Sequence, residues 1–110
     1  MQRFTSRRSP KISQLVGRWR AIDPWETDVS LIVSNRGGKI RVRAVDDSDG
    51  EEAEIFGLKV TTQKISFAAY WSTGQLTKYS LRALFEGQME VTYTFTAKNT
   101  FQKVAAKPKV

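Results

Sequence analysis

A chain of 110 residues, 40% of them apolar, can bury one core and has room for one domain. It contains no histidine and no cysteine. That excludes histidine-based triads, thiolate nucleophiles, disulfide staples and Cys/His zinc sites. The formal charge is +7, yet residues 12–104 hold 12 of the 18 basic residues and all 11 acidic ones, a net of +1. The excess lies in two tails: Arg3, Arg7, Arg8 and Lys11 at one end, Lys107 and Lys109 at the other. The sequence divides into a basic N-terminal tail (1–11), one β domain (12–105) and a basic C-terminal tail (106–110). Basic tails read first as solvated extensions, and second as non-specific contacts to phosphate. No apolar run approaches the ~18 residues of a membrane span. The basic N-terminus has no apolar stretch behind it, so no signal peptide is expected and a cytoplasmic location is favoured.

Ser9-Pro10 has the form of an N-cap followed by proline at the first helical position, so PKISQLV predicts one turn of helix ending by Gly17. From Leu15 the apolar period is two. Segment 15–22 places Gly17, Trp19 and Ala21 opposite Arg18 and Arg20. Segment 27–34 aligns Val29, Leu31 and Val33. After the turn Asn35-Arg36-Gly37-Gly38, segment 39–46 sets Ile40, Val42 and Ala44 against Lys39, Arg41 and Arg43. The acidic turn 46–50 follows. Segment 52–60 is less regular, and Gly57 in its middle marks a bulge. Segment 64–71 aligns Ile65, Phe67, Ala69 and Trp71. Segment 76–85 aligns Tyr79, Leu81, Ala83 and Phe85, and segment 88–96 aligns Met89, Val91, Tyr93 and Phe95. An eighth segment, 99–105, puts Phe101 and Lys103 on one side. Eight short strands joined by tight turns form an antiparallel meander, which closes most simply as an up-and-down barrel. A β-sandwich is the structural alternative.

Gly17-Arg18-Trp19 on the first strand of such a meander, after a short helical turn, resembles the calycin superfamily of lipocalins, fatty-acid-binding proteins and avidins. The resemblance implies that Trp19 sits low in a barrel, beside Gly17, and that Lys103 on the last strand packs across it to close the base. The tail Thr100-Phe101-Gln102-Lys103-Val104 also resembles the last strand of avidins, but the biotin-contacting side chains of that family have no counterparts here.

Alternate connections of a meander lie at the same end. One end collects the helical turn, the basic N-terminal tail and Arg36, Lys39 and Lys64. The other collects Asp23, Glu26, Asp28, Asp46, Asp47, Asp49, Glu51 and Glu52, with Trp25 and Trp71. The expected object is a barrel with an acidic, tryptophan-bearing mouth. Such a rim favours cations or neutral solutes over carboxylates. Trp25, Phe67, Trp71, Tyr79, Tyr93 and Phe95 are the candidate ligand-binding residues, with Val29, Leu31, Val42, Ala69 and Leu81 completing the wall. The same apolar residues also describe a filled core. The run DDSDG has part of an EF-hand outline, but Val45 and Phe56 stand where carboxylate ligands are required, so no metal is expected.

The sequence therefore predicts a lipocalin-like binding protein for a small apolar ligand, neutral or cationic. The alternative is a protein-interaction or inhibitor module acting through the N-terminal tail. Nucleic-acid binding through Arg18, Arg20, Arg41 and Arg43 lacks the interleaved exposed aromatics such surfaces use. No cofactor is implied. Catalysis is not expected, because the carboxylates fall in turns and Lys78, Ser80 and Arg82 read as the solvent face of one strand.

Overall fold

In a computed structural model, residues 11–23, 27–85, 87–96 and 99–105 are described. A 3-10 helix spans Ile12–Leu15. Seven strands follow: β1 (Gly17–Trp19), β2 (Val29–Arg36), β3 (Lys39–Asp46), β4 (Glu54–Val60), β5 (Lys64–Tyr70), β6 (Leu76–Ala83) and β7 (Met89–Thr96). They form a three-stranded sheet, β1-β2-β3, and a four-stranded sheet, β4-β5-β6-β7, with antiparallel pairing between sequence neighbours.

The helical turn falls where the pattern placed it. Its first turn is held by the Lys11 amide donating to Gln14 Oε1 at 2.6 Å. The proposed Ser9-Pro10 cap lies outside the described residues, as do most of both basic tails. Gly17 adopts φ +140°, a value that L side chains rarely take, as the chain leaves the helix for β1. β1 is only three residues long. Ala21 and Ile22, expected to continue it, are exposed.

The period-two assignments fix the faces correctly in β2, β3, β5 and β6, whose inward residues Leu31, Val33, Val42, Ala44, Ile65, Phe67, Ala69, Tyr79, Leu81 and Ala83 form one core with Leu15, Ala53 and Trp71. Phe85 is exposed, because β6 ends at Ala83 before the turn. In β4 the register against β5 shifts between Phe56 and Lys59, and Gly57 has φ +62°. The extra residue reverses the alternation. Ile55 packs against the core opposite Ala69 before the bulge, and Val60 takes the place opposite Ile65 after it, where it remains 45% exposed.

The two sheets are joined at one corner. Val45 and Glu52 form an isolated antiparallel bridge, flanked by Asp46 N–H to Glu51 O at 2.8 Å and Ala53 N–H to Ala44 O at 3.0 Å. At the opposite end, Leu15, Val33, Ile65 and Leu81 are fully enclosed. The base of the molecule is thus packed.

The expected eighth strand is not formed. Residues 99–105 have no strand pairing, and Phe101 is 89% exposed. Among the described residues, β1 and β7 each keep one edge without a strand partner. Two facing sheets therefore stand in place of the closed eight-stranded barrel. Lys103, expected across Trp19, is exposed. The indole N–H of Trp19 donates instead to the Leu15 carbonyl at 2.7 Å, tying β1 to the helical turn. The half-buried ring also packs against the core. Replacing Trp19 by alanine is expected to cost about 3 kcal/mol, since it removes both packing and this bond. Trp19→Phe, which keeps most of the ring, should cost about 1–2 kcal/mol. Urea unfolding midpoints check both, and an unchanged midpoint in Trp19→Ala would contradict the anchoring role.

Candidate functional site

Away from the packed base, the space between the sheets opens into a trough. One part, of about 360 Å³, lies between the free edges of β1 and β7. Trp19 and Arg20 border it on one side, Met89, Val91 and Tyr93 on the other, with Val29, Leu31 and Tyr79 at its floor. A second part, of about 340 Å³, opens at the corner end, where Trp71, Thr77 and Phe95 meet Asp28, Asp46 and Glu51. Both parts are lined by Thr27, Val29, Tyr79 and Tyr93, so these residues mark where they adjoin.

Of the aromatic residues predicted from alternation, Trp71, Tyr79, Tyr93 and Phe95 line the trough, whereas Phe67 lies in the packed core behind Tyr79. Phe67 stacks on Tyr79 with ring centroids 5.1 Å apart, and Tyr79 lies 5.9 Å from Tyr93. These follow from register: Phe67 is opposite Tyr79, and Tyr79 is opposite Tyr93. Exposure rises towards the open side, from buried Phe67 to Tyr93 at 41% and Phe95 at 59%. Trp71 is buried at the wall of the second part. Trp25 lies outside the described residues. Val42, Ala69 and Leu81, expected in the lining, belong to the packed core instead. Thr77 was not singled out in the sequence, although it continues the inward alternation of Tyr79 and Leu81; it is buried and lines the trough. Thr27, Met89 and Val91 complete the wall.

The acidic turn is a structural node. Asp46 Oδ1 accepts from the Ser48 amide at 2.9 Å and from its hydroxyl at 2.6 Å, which holds the Asp46 carboxyl below its ordinary range. Asp49 Oδ1 accepts from the Glu51 amide at 2.8 Å. Glu51 Oε2 reaches the Ser72 amide at 2.7 Å, fastening the β5–β6 turn. The Asp47 amide donates to the Asp28 carbonyl at 2.9 Å. Its carboxylate accepts from the fully buried Ser30 hydroxyl and from Arg18 Nη2 at 2.8 Å, with Arg20 Nε at 3.5 Å. These carboxylates are directed at protein groups. Among the described residues, no group of three or more potential metal ligands is gathered at one point.

The outward arginines are partnered in the same way. Arg18 and Arg43 both neighbour Ile32 across the first sheet, and Arg43 makes a two-pronged contact with Glu52 at 2.9 Å. That contact lowers the Glu52 pKa and raises that of Arg43. With Arg18 and Arg20 on Asp47, three of the four arginines considered for polyanion binding face carboxylates.

No protein-family model, no curated protein and no solved structure matches the chain.

Two outcomes follow from this geometry. Asp47→Ala leaves the buried Ser30 hydroxyl and two arginines without their shared partner, and should cost about 1–3 kcal/mol by urea unfolding. An unchanged midpoint would remove Asp47 from the corner. Tyrosine ordinarily titrates near pH ~10. Burial, with Tyr93 nearby, pushes Tyr79 up to about 12. The folded state favours the neutral phenol, so this contribution is complete below pH ~10 and is lost as pH rises through about 12. Tyr79→Phe should flatten the fall in stability across that window. Equal slopes in the two proteins would contradict the burial of the hydroxyl.

Proposed function

We propose that the protein binds a small apolar molecule, neutral or cationic, in the trough between its sheets. The observation that carries this reading is the contrast between the two ends. The base is packed by Leu15, Val33, Ile65 and Leu81, whereas Tyr93 and Phe95 remain substantially exposed beside an unfilled space. Its larger enclosed part, about 360 Å³, lies within the range of small-molecule sites. Val29, Leu31, Met89 and Val91 offer apolar contact there, while the Tyr79 and Tyr93 hydroxyls offer polar points of orientation. Asp28, Asp46 and Glu51 at the corner end give the rim a negative potential, which opposes a carboxylate ligand and tolerates a cation against the aromatic rings.

The resemblance of Gly17-Arg18-Trp19 to the calycin signature supports the same reading, as a carrier of calycin type. A catalytic role is not part of it. With no histidine or cysteine in the chain, proton transfer would rest chiefly on carboxylates, and those of Asp46 and Glu51 at the rim accept from turn amides.

The test is a titration of the native protein with a neutral, a cationic and an anionic hydrophobic dye, reading tryptophan emission. The neutral and cationic dyes should quench saturably at one-to-one stoichiometry, and the anionic dye should bind more weakly. Phe95→Ala and Tyr93→Ala should each weaken binding by about tenfold, the loss of roughly 1.4 kcal/mol of ring contact. Absence of saturable quenching by all three dyes would overturn the proposal.

A further inference from the structure

The cleft between β1 and β7 is bounded by two strand edges, and each edge lacks a partner among the described residues. Free edges present rows of unpaired amide and carbonyl groups, and they are templates for a further strand. The same chain holds a segment suited to that place. Residues 99–105 follow β7 after only Ala97 and Lys98, and they alternate Phe101 and Lys103 against Gln102 and Val104. In the protomer this segment is left without use. All its residues are exposed, Phe101 and Val104 almost completely.

The sequence that connects the segment to β7, Ala97-Lys98, is short and lacks glycine. A tight hairpin favours residues at positive φ, and Gly37, Gly38, Gly50, Gly74 and Gly87 supply that conformation in the other turns. The glycine-free connection at 61–63 is secured instead by Thr61, whose hydroxyl accepts from the Gln63 and Lys64 amides. Ala97-Lys98 has neither glycine nor such a hydroxyl. A short connection favours exchange of the segment that follows it.

We propose that residues 99–105 of a second copy enter the cleft between β1 and β7, and that the exchange is reciprocal. Each protomer then gains an eighth strand from its partner, and the dimer has two-fold symmetry. Phe101 of the incoming strand faces Leu31, Met89 and Val91, the apolar wall of the cleft, and leaves solvent. Phe101 thereby fills part of the space assigned above to a ligand, so that binding in the dimer falls to the corner part beside Trp71, which stays open. This assembly does not depend on the identity, or the existence, of a small ligand.

The test combines mass with directed cross-linking. Light scattering on the eluting 110-residue chain should give twice the chain mass, and Phe101→Glu should give the monomer mass. Phe101 makes no buried contact within the protomer, so this variant should keep the far-ultraviolet β signature. With Phe101 inward, Gln102 lies on the outward side, the side that Thr94 occupies on β7 opposite Lys78. Neighbouring antiparallel strands bring Cα atoms within about 4.5–5.5 Å, close enough for a disulfide. Chains carrying Thr94→Cys, unfolded and refolded together with chains carrying Gln102→Cys, should form a disulfide between the two. Three results would overturn the proposal: a monomer across the concentration series, an intrachain disulfide in a monomeric Thr94→Cys/Gln102→Cys variant, or a dimer that Phe101→Glu leaves intact and the cysteines do not link.

Discussion

The corner between β3 and β4 governs the rest of the molecule. Each sheet is a simple hairpin series, and between their strands the described pairing that joins them is the Val45–Glu52 bridge with its flanking backbone bonds. Around it the acidic turn reaches outward in three directions. Asp47 holds β1 and β2 through Arg18 and Ser30, its amide holds the segment before β2, and Glu51 holds the β5–β6 turn. Surface ion pairs alone contribute little. Here the carboxylate of Asp47 also satisfies a fully buried hydroxyl, so its removal would leave a desolvated polar group behind.

Fixing two sheets at one corner and packing them at the far base determines where space remains. Leu15 from the helical turn closes that base together with one residue from each of β2, β5 and β6. Among the described residues nothing comparable fills the side between β1 and β7, and no bridge joins these strands. The result is a trough whose aromatic residues change gradually from buried to exposed: Phe67, then Tyr79, then Tyr93 and Phe95. The gradient runs along one series of neighbouring rings, from Phe67 stacked on Tyr79 in the core to Tyr93 at the open side.

The acidic turn shows how composition and structure can suggest different chemistry. As a string, DDSDG suggests either a solvated hairpin or a cation loop. In the folded chain its carboxylates face amides, two serine hydroxyls and two arginines, so their charge is largely taken up in holding the turn and its neighbours. The outward arginines tell the same story from the opposite sign. Spacing on a strand predicted their face, but not that Asp47 and Glu52 would reach across to meet them.

The sequence by itself determined the local elements: the helical turn before Gly17, the strand faces of β2, β3, β5 and β6, the turns and the bulge at Gly57. These depend on alternation, glycine conformation and turn chemistry, which act over a few residues. It also determined which aromatics share the interior, because register carries Phe67, Tyr79 and Tyr93 to one face. Only the tertiary structure decided whether the meander closes. Closure depends on long-range pairing between β1 and a strand more than eighty residues away, weighed against the entropy of bringing the ends together. Alternation in 99–105 predicts a strand but cannot supply its partner. The trough, the exposure of Lys103 and the new partner of Trp19 all follow from that one unmade pairing.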